Sequence, residues 1–283
     1  MIGSRGPTRS LRVTRYRDGA RGRDRDTLVV EEPLEIRLSW VEPGHDRRRT
    51  EPLAVTMRTP GEDFELVAGF LHGEGVVTRP DDILEMTYCR SGEGEQEYNT
   101  VEARLRPGVA FDMDALRRNF YATSSCGVCG KASLDAVDAM GCSTLPPGPV
   151  FEASLVPTLP DRLRLRQDAF DRTGGLHAAG LFDATGACLG VREDVGRHNA
   201  VDKVLGEAFL ARKLPASQAL LVVSGRASFE LVQKAVMAGV PALVAVGAPS
   251  TLAVDLAKRF GQTLVGFARE GGFNVYTGEE RVA

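Results

Sequence analysis

Leu220-Leu221-Val222-Val223-Ser224-Gly225-Arg226-Ala227-Ser228 is an unbroken aliphatic run that ends in a polar, glycine-containing turn, and it decides the fold class. Without alternation, both faces of such a strand must be buried, as in a sheet covered by helices on both sides. Downstream, Leu231, Val232, Ala235 and Val236 recur at helical spacing, and Ala242-Leu243-Val244-Ala245-Val246 repeats the buried strand. Leu252, Leu256 and Phe260 mark a further helix, Thr263 to Phe267 a strand and Phe273 to Tyr276 a last one. Upstream lie a helix through Val201, Val204, Leu205, Ala208 and Phe209, and a hairpin whose strands, Ala178 to Phe182 and Ala187 to Val191, flank the turn 183–186. A short helix through Leu163 to Phe170 precedes them. Strands alternating with helices predict an α/β domain over residues 150–283 with a largely parallel sheet.

In such sheets ligands bind beyond the carboxyl ends of the strands, so the turns from strand to helix carry the chemistry. Ser224 to Ser228 and Gly247-Ala248-Pro249-Ser250 offer glycine for close backbone approach and serine as a helix N-cap. Phe267-Ala268-Arg269-Glu270-Gly271-Gly272 adds an arginine and paired glycines. In Asp194-Val195-Gly196-Arg197-His198-Asn199, Asn199 reads as an N-cap with Asp202 three residues on, and Arg197 and His198 stand just outside the helix. Helix N-termini with arginine and glycine suit phosphate. Neither a Walker A loop nor Gly-x-Gly-x-x-Gly is present, so ordinary α/β turns, with His177 and His198 as hydrogen-bonded structural residues, are the competing reading.

Before this domain, Leu34, Ile36 and Leu38 alternate with charged residues as a half-buried strand, and Leu53 to Met57 forms its neighbour. A helix opened by Thr59-Pro60 presents Phe64, Val67, Phe70 and Leu71, and Gly73 and Gly75 close it. Ile83 to Tyr88 and the alternating Val101, Ala103 and Leu105 add strands. Residues 28–145 therefore read as a smaller α+β domain, joined to the second by Pro146-Pro147-Gly148-Pro149. Residues 1–27 contain Arg5, Arg9, Arg12, Arg15, Arg17, Arg21, Arg23 and Arg25 and few large apolar groups, which reads as a flexible arginine-rich tail.

The smaller domain ends in Ser124-Ser125-Cys126-Gly127-Val128-Cys129-Gly130-Lys131. Leu134, Val137 and Met140 then recur every third residue, placing the thiol pair at a helix start. The helix dipole, its free N–H groups and Lys131 favour thiolate there. Structural cysteines, half a zinc site, a redox dithiol and a persulfide carrier all remain open on this spacing. A four-cysteine zinc site has no support, because Cys89, Cys142 and Cys188 are scattered. The helical look of residues 112–120 argues against a thioredoxin-like βαβ unit. His72-Gly73-Glu74 with Cys126 and Cys129 imitates a zinc deaminase signature, but Ser125 stands where proline is required. The expectation is no tightly held metal.

A chain of 283 residues with net charge −3 is long enough for two domains and carries no general signal for polyanions, so any nucleotide site is local. Five cysteines, an odd number, with no apolar run near twenty residues, predict a reducing, cytoplasmic setting without membrane attachment.

Taken together, five ordered segments resemble the FdhD family, the accessory sulfurtransferases of formate dehydrogenases. They are Ser124 to Gly130, Thr173-Gly174-Gly175-Leu176-His177, Glu193 to Lys203, Ser224-Gly225-Arg226 and Phe267-Ala268-Arg269, within a match from about Thr27 to Thr277. The resemblance implies a cytoplasmic homodimer that takes sulfur from a cysteine desulfurase as a persulfide. It then passes the sulfur to a molybdenum or tungsten bis-guanine-dinucleotide cofactor before insertion into formate dehydrogenase. It further implies a cytidine-deaminase-like C-terminal α/β domain without zinc, with no nucleic-acid or membrane partner. By position Cys126 carries the persulfide and Cys129 assists, and Phe267, Ala268, Arg269, Glu270, Gly271 and Gly272 hold the cofactor with His198 and Arg226 nearby. The alternatives are a non-catalytic chaperone for the molybdenum cofactor, whose thiols only sense redox state, and a zinc-dependent deaminase-like hydrolase.

Overall fold

The computed structural model describes residues 6–42, 47–89, 98–113, 116, 137 and 142–283. Three sheets organise them. The expected tail is instead a two-stranded antiparallel hairpin, β1 (Thr8–Arg17) with β2 (Ala20–Val29), turning at Asp18 and Gly19. Both faces of the ribbon are largely exposed, so it leaves no burial pattern for sequence reading to find.

β3 (Glu32–Val41), β4 (Arg48–Arg58), β5 (Ile83–Tyr88) and β6 (Thr100–Leu105) form a sheet of order β4-β3-β6-β5, in which β3 and β6 run parallel. Leu34, Ile36, Leu38, Val101, Ala103 and Leu105 share its inner face, and all six are fully buried. The alternation predicted for these strands holds, because one face of the sheet is covered by α1 (Asp63–Gly73) and the other meets solvent. The helix begins three residues after Pro60, with Glu62 in the left-handed region at φ 52°.

The second sheet has the order β12-β11-β10-β9-β7-β8, built from β7 (His177–Asp183), β8 (Cys188–Asp194), β9 (Ala219–Val223), β10 (Ala242–Ala245), β11 (Thr263–Arg269) and β12 (Gly272–Thr277). Only β9, β10 and β11 are mutually parallel; β7, β8 and β12 are antiparallel to their neighbours, so the expected largely parallel sheet is parallel at its centre alone. Helices α4 (Arg197–Leu210), α5 (Phe229–Met237) and α6 (Thr251–Phe260) cover one face over Leu221, Val223, Leu243 and Leu264. Phe151, Leu155, Val156 and α2 (Leu159–Arg164) cover the other over Leu220, Val222, Val244 and Val265. Burial on both faces is what the run Leu220 to Val223 demands. The single helix expected from Leu163 to Phe170 is two, α2 and α3 (Asp168–Thr173), separated by residues 165–167.

The chain before the proline-rich segment packs into the core of the second sheet. Val137 and Leu145 are buried in the core of the second unit, and the Leu145 amide donates to the Phe260 carbonyl at 2.9 Å. Gly148 lies so close to Pro241 that a Cβ would sit 2.5 Å from its ring, so the proline-rich segment is packed against the second unit. The two units then share a wall made of α1 and α4. A Cβ on Gly69 would fall 1.9 Å from the Asp202 carbonyl oxygen, and one on Gly206 1.8 Å from that of Glu65, so the helices meet backbone to backbone. Among the described residues no helix is long and apolar enough to cross a membrane.

Candidate functional site

The parallel strands β9, β10 and β11 end side by side, and their pairing continues into the turns. Gly247 N–H donates to the Gly225 carbonyl at 2.9 Å, Ala227 N–H to that of Ala248 at 3.2 Å and Phe267 N–H to that of Gly247 at 3.1 Å. This ladder leaves no room at Gly247, where a Cβ would meet Arg226 Cγ at 3.0 Å. β7 runs antiparallel to β9 and therefore begins at the same end with His177, locked by Ala178 N–H donating to Ser224 Oγ at 2.9 Å. β8 ends there at Asp194, and α4 starts at once with Gly196 as its N-cap residue. Chain topology thus gathers His177, Arg197, His198, Arg226 and the 267–272 turn at one mouth.

His198 Nε2 lies 2.8 Å from a Glu230 carboxylate oxygen and 3.3 Å from Ser228 Oγ, so this nitrogen carries the proton that a carboxylate neighbour requires. The hydrogen bond from His198 holds the Glu230 pKa below its ordinary value. His177 and Arg197 both approach Gly225, where a Cβ would be 3.6 Å from His177 Nδ1 and 4.0 Å from Arg197 Cδ. Partial burial, then the charges of Arg197 and His198, lower the His177 pKa. Arg197 Nε is buried and has no hydrogen-bond partner among the described residues. Arg197 and Arg226 make the mouth basic, and Arg226, Phe267, Arg269 and Glu270 are exposed.

The 267–272 segment joins β11 to β12 across a bulge between Gly266 and Arg269. Phe267 adopts φ 55°, unusual for a bulky residue and costing roughly 1–3 kcal/mol, and the residue is 40% exposed. Ala268 is fully buried and anchors the segment, Arg269 pairs with Gly272, and Gly271 takes φ 90° at the turn. The structure thus brings Phe267 to Gly272 to the same end of the sheet as His198 and Arg226. Cys126 and Cys129, with Lys131, lie outside the described residues. Their flanks do not: Leu116 is buried in the core of the first unit and Val137 in that of the second.

Asn199 is not the cap that local pattern suggested. It is buried in the first turn of α4, its amide donating to Met57 O at 2.7 Å and Asp194 Oδ1 at 3.0 Å while its oxygen accepts from Thr56 Oγ1. Asp194 and Lys203, both with fully buried side chains, pair at 2.9 Å. Asp194 also accepts from Thr59 N–H at 3.0 Å and Gly196 N–H at 2.8 Å, and Lys203 donates to the Thr59 carbonyl at 2.9 Å. Glu193 accepts from the Ala169 and Phe170 amides at the start of α3. Asp202 pairs with Lys234 at 2.7 Å, near Glu74; burial raises the pKa of both carboxyls, while burial of Lys234 is outweighed by its carboxylates and its pKa rises. Asp194, Asn199 and Lys203 therefore clamp the units together, whereas Arg197 and His198 lie at the mouth. The clamp was missed because Thr59 and Asp194 are 135 residues apart, which no local spacing reveals.

His72, the residue that imitated a deaminase ligand, is buried with Nδ1 3.1 Å from the Val77 carbonyl and Nε2 3.2 Å from that of Met237, and its ring stacks on Phe209. Burial lowers its pKa. Both nitrogens face backbone acceptors, so the ring serves the contact between the units.

Fold and mouth define a class: two-unit α/β proteins with a cationic strand mouth and a Cys-x-x-Cys pair in the chain between the unit cores. The chain belongs to the FdhD/NarQ family, whose profile matches residues 29–283. It is 54% identical over 280 residues to the sulfur carrier protein FdhD of Streptomyces avermitilis, covering 98% of this chain and 96% of that one. It is 52% identical over 265 residues to the protein of the same name from Mycobacterium tuberculosis, covering 91% and 92%. The FdhD of Sulfurisphaera tokodaii is 39% identical over 96% of this chain and 98% of its own. A crystal structure of a candidate formate dehydrogenase accessory protein from Desulfotalea psychrophila superposes with a TM-score of 0.72 at 24% identity, over 98% and 99% of the two chains, and shares the fold.

Proposed function

We propose that this chain is a sulfur carrier serving formate dehydrogenase. Cys126 takes sulfane sulfur from a cysteine desulfurase and delivers it to a molybdenum or tungsten bis-guanine-dinucleotide cofactor. The observation that carries the reading is the basic mouth of Arg197 and Arg226, with His198 beside them and the 267–272 turn at the same end of the sheet, which suits the phosphates of such a cargo. Family membership and the relatives' names supply the sulfur.

In loading, the Cys126 thiolate attacks the outer sulfur of the donor's persulfide. A new S–S bond forms, the donor's breaks, and the donor cysteine leaves as thiolate. In delivery, attack by Cys129 on the inner sulfur of Cys126 releases hydrosulfide to the cargo and leaves a disulfide that a thiol reductant resets. The active form is a cytoplasmic homodimer.

Intact mass after incubation with a desulfurase and cysteine is expected to show one added sulfur atom in the wild type and none in Cys126→Ala. A wild-type mass that never shifts rejects the carrier. A Cys126→Ala protein that still yields fully sulfurated, active formate dehydrogenase favours a chaperone instead.

GDP, a fragment of the cargo, is expected to bind the mouth. A charged hydrogen bond contributes roughly 1.5–3 kcal/mol, so Arg226→Ala and Arg269→Ala should each weaken calorimetric affinity about tenfold or more. Cys126→Ala should leave it unchanged. Equal affinity in wild type and an arginine variant removes that arginine from the site, and no GDP binding at all removes the pocket.

A further inference from the structure

The hairpin β1–β2 lies almost wholly before residue 29, where the family profile begins, and contributes no residue to the mouth described above. Its register puts both strand carboxylates on one face, with Arg9, Arg15 and Arg17, and leaves the other face with arginines and no carboxylate. Directly opposed residues of an antiparallel pair share a face, and Arg12 stands opposite Arg25, Thr14 opposite Arg23 and Tyr16 opposite Arg21. Arg12, Arg21, Arg23 and Arg25 thus lie on one face with Tyr16, which is 68% exposed. The strand carboxylates point the other way: Asp24 and Asp26 lie opposite Val13 and Leu11, and both pair with Arg15.

The directly opposed Arg12 and Arg25 repel, and no carboxylate on that face offsets them. Charged edges that only prevent aggregation need no preference for one face. The ribbon is nevertheless held in place at its base, where Val30 N–H donates to the Pro7 carbonyl at 2.8 Å and Val29 packs over Gly175. Residues 1–30 hold eight arginines and three aspartates, a charge of +5, so the chain total of −3 leaves −8 on residues 31–283. The molecule is a basic arm on an acidic body.

We infer that the arginine face of the hairpin docks an acidic surface of a partner protein. The inference rests on the sulfur-carrier reading, in which the chain must engage a donor and an acceptor. Arg21, Arg23 and Arg25 alternate along one strand at a pitch of about 7 Å, suited to a bounded row of carboxylates. Nucleic acid fits less well. Duplex DNA carries one charge per ~1.7 Å, and the acidic body would be drawn within the ~8–10 Å screening length of that charge. The opposite face of the ribbon also exposes Leu11 and Leu28, apolar groups that suit a protein surface.

The test uses the full-length chain, a purified cysteine desulfurase and a purified formate dehydrogenase of the same organism, with dissociation constants measured at about 50 mM and about 500 mM salt. The Arg21→Ser/Arg23→Ser/Arg25→Ser variant is expected to bind one of the two proteins at least tenfold more weakly at low salt. The corresponding triple lysine variant should stay within about threefold of wild type, and high salt should erase the difference. Equal affinities for both proteins in wild type and triple serine variant overturn the inference, as does wild type binding neither. Tighter binding of a duplex oligonucleotide than of either protein, lost in the serine variant, overturns it in favour of nucleic acid. Persulfide mass on Cys126 of the wild type, read after incubation with the desulfurase and cysteine, fails only if the carrier reading itself is wrong.

Discussion

Gly206→Ala is expected to destabilise the protein by about 4 kcal/mol or more, or to prevent folding. In an isolated helix the change would help, since alanine is about 1 kcal/mol better than glycine. Here the new methyl would lie 1.8 Å from the Glu65 carbonyl oxygen and 2.8 Å from Gly69 N, both backbone atoms that cannot rotate away. Ordinary overpacking costs about 1–3 kcal/mol where side chains give. In this wall α1 and α4 must separate, and with them the cores on either side, because Leu66 and Phe209 belong to the first and Val204 and Leu205 to the second. Gly69→Ala should behave alike, its methyl 1.9 Å from the Asp202 oxygen. Gly22→Ala, on the hairpin with open space around it, is the control and should shift urea unfolding by less than about 0.5 kcal/mol. Near-wild-type stability of Gly206→Ala would show that the helices do not meet as described.

What sequence could and could not disclose follows from how local each signal is. Leu220 to Val223 disclosed a doubly covered sheet because continuous apolarity has one structural meaning, and the 183–186 turn disclosed the β7–β8 hairpin. Strand direction is not written in composition, so antiparallel pairing of β7 to β9 and of β12 to β11 was invisible. Ser228 and Ser250 were legible as N-cap positions, and the Ser250 hydroxyl does accept from Ala253 N–H. Asn199 obeyed the same rule and broke it, because Asp194 and Met57 recruit its side chain into the contact between units. The turns at the strand ends were legible through their glycines and arginines. The convergence of His177 and Arg197 on Gly225 was not, since it needs β7 to start where β9 ends.

Lys203→Ala is expected to cost about 3–5 kcal/mol, the usual penalty for breaking a buried ion pair by removing one partner. Asp194 would keep donors from Thr59, Gly196 and Asn199, yet its charge, fully shielded from water, would lose its ion-pair partner. The Thr59 carbonyl would lose its donor as well. Lys203→Met retains most of the volume, so comparing it with Lys203→Ala separates the lost charge from the lost packing; both should be severe if the charge dominates. A double change, Asp194→Asn with Lys203→Met, removes both charges and should be milder than the sum of the singles, with a coupling of about 0.5–3 kcal/mol. Urea unfolding of the four proteins gives the cycle, and a Lys203→Met loss below about 1 kcal/mol would demote the pair to packing. The same carboxylate orders the mouth: Asp194 holds Gly196 N–H at 2.8 Å, one residue before Arg197 and two before His198. Asp194→Asn should therefore also weaken GDP binding although no atom of it faces the ligand, whereas a purely global loss of stability would leave the affinity of the folded fraction unchanged.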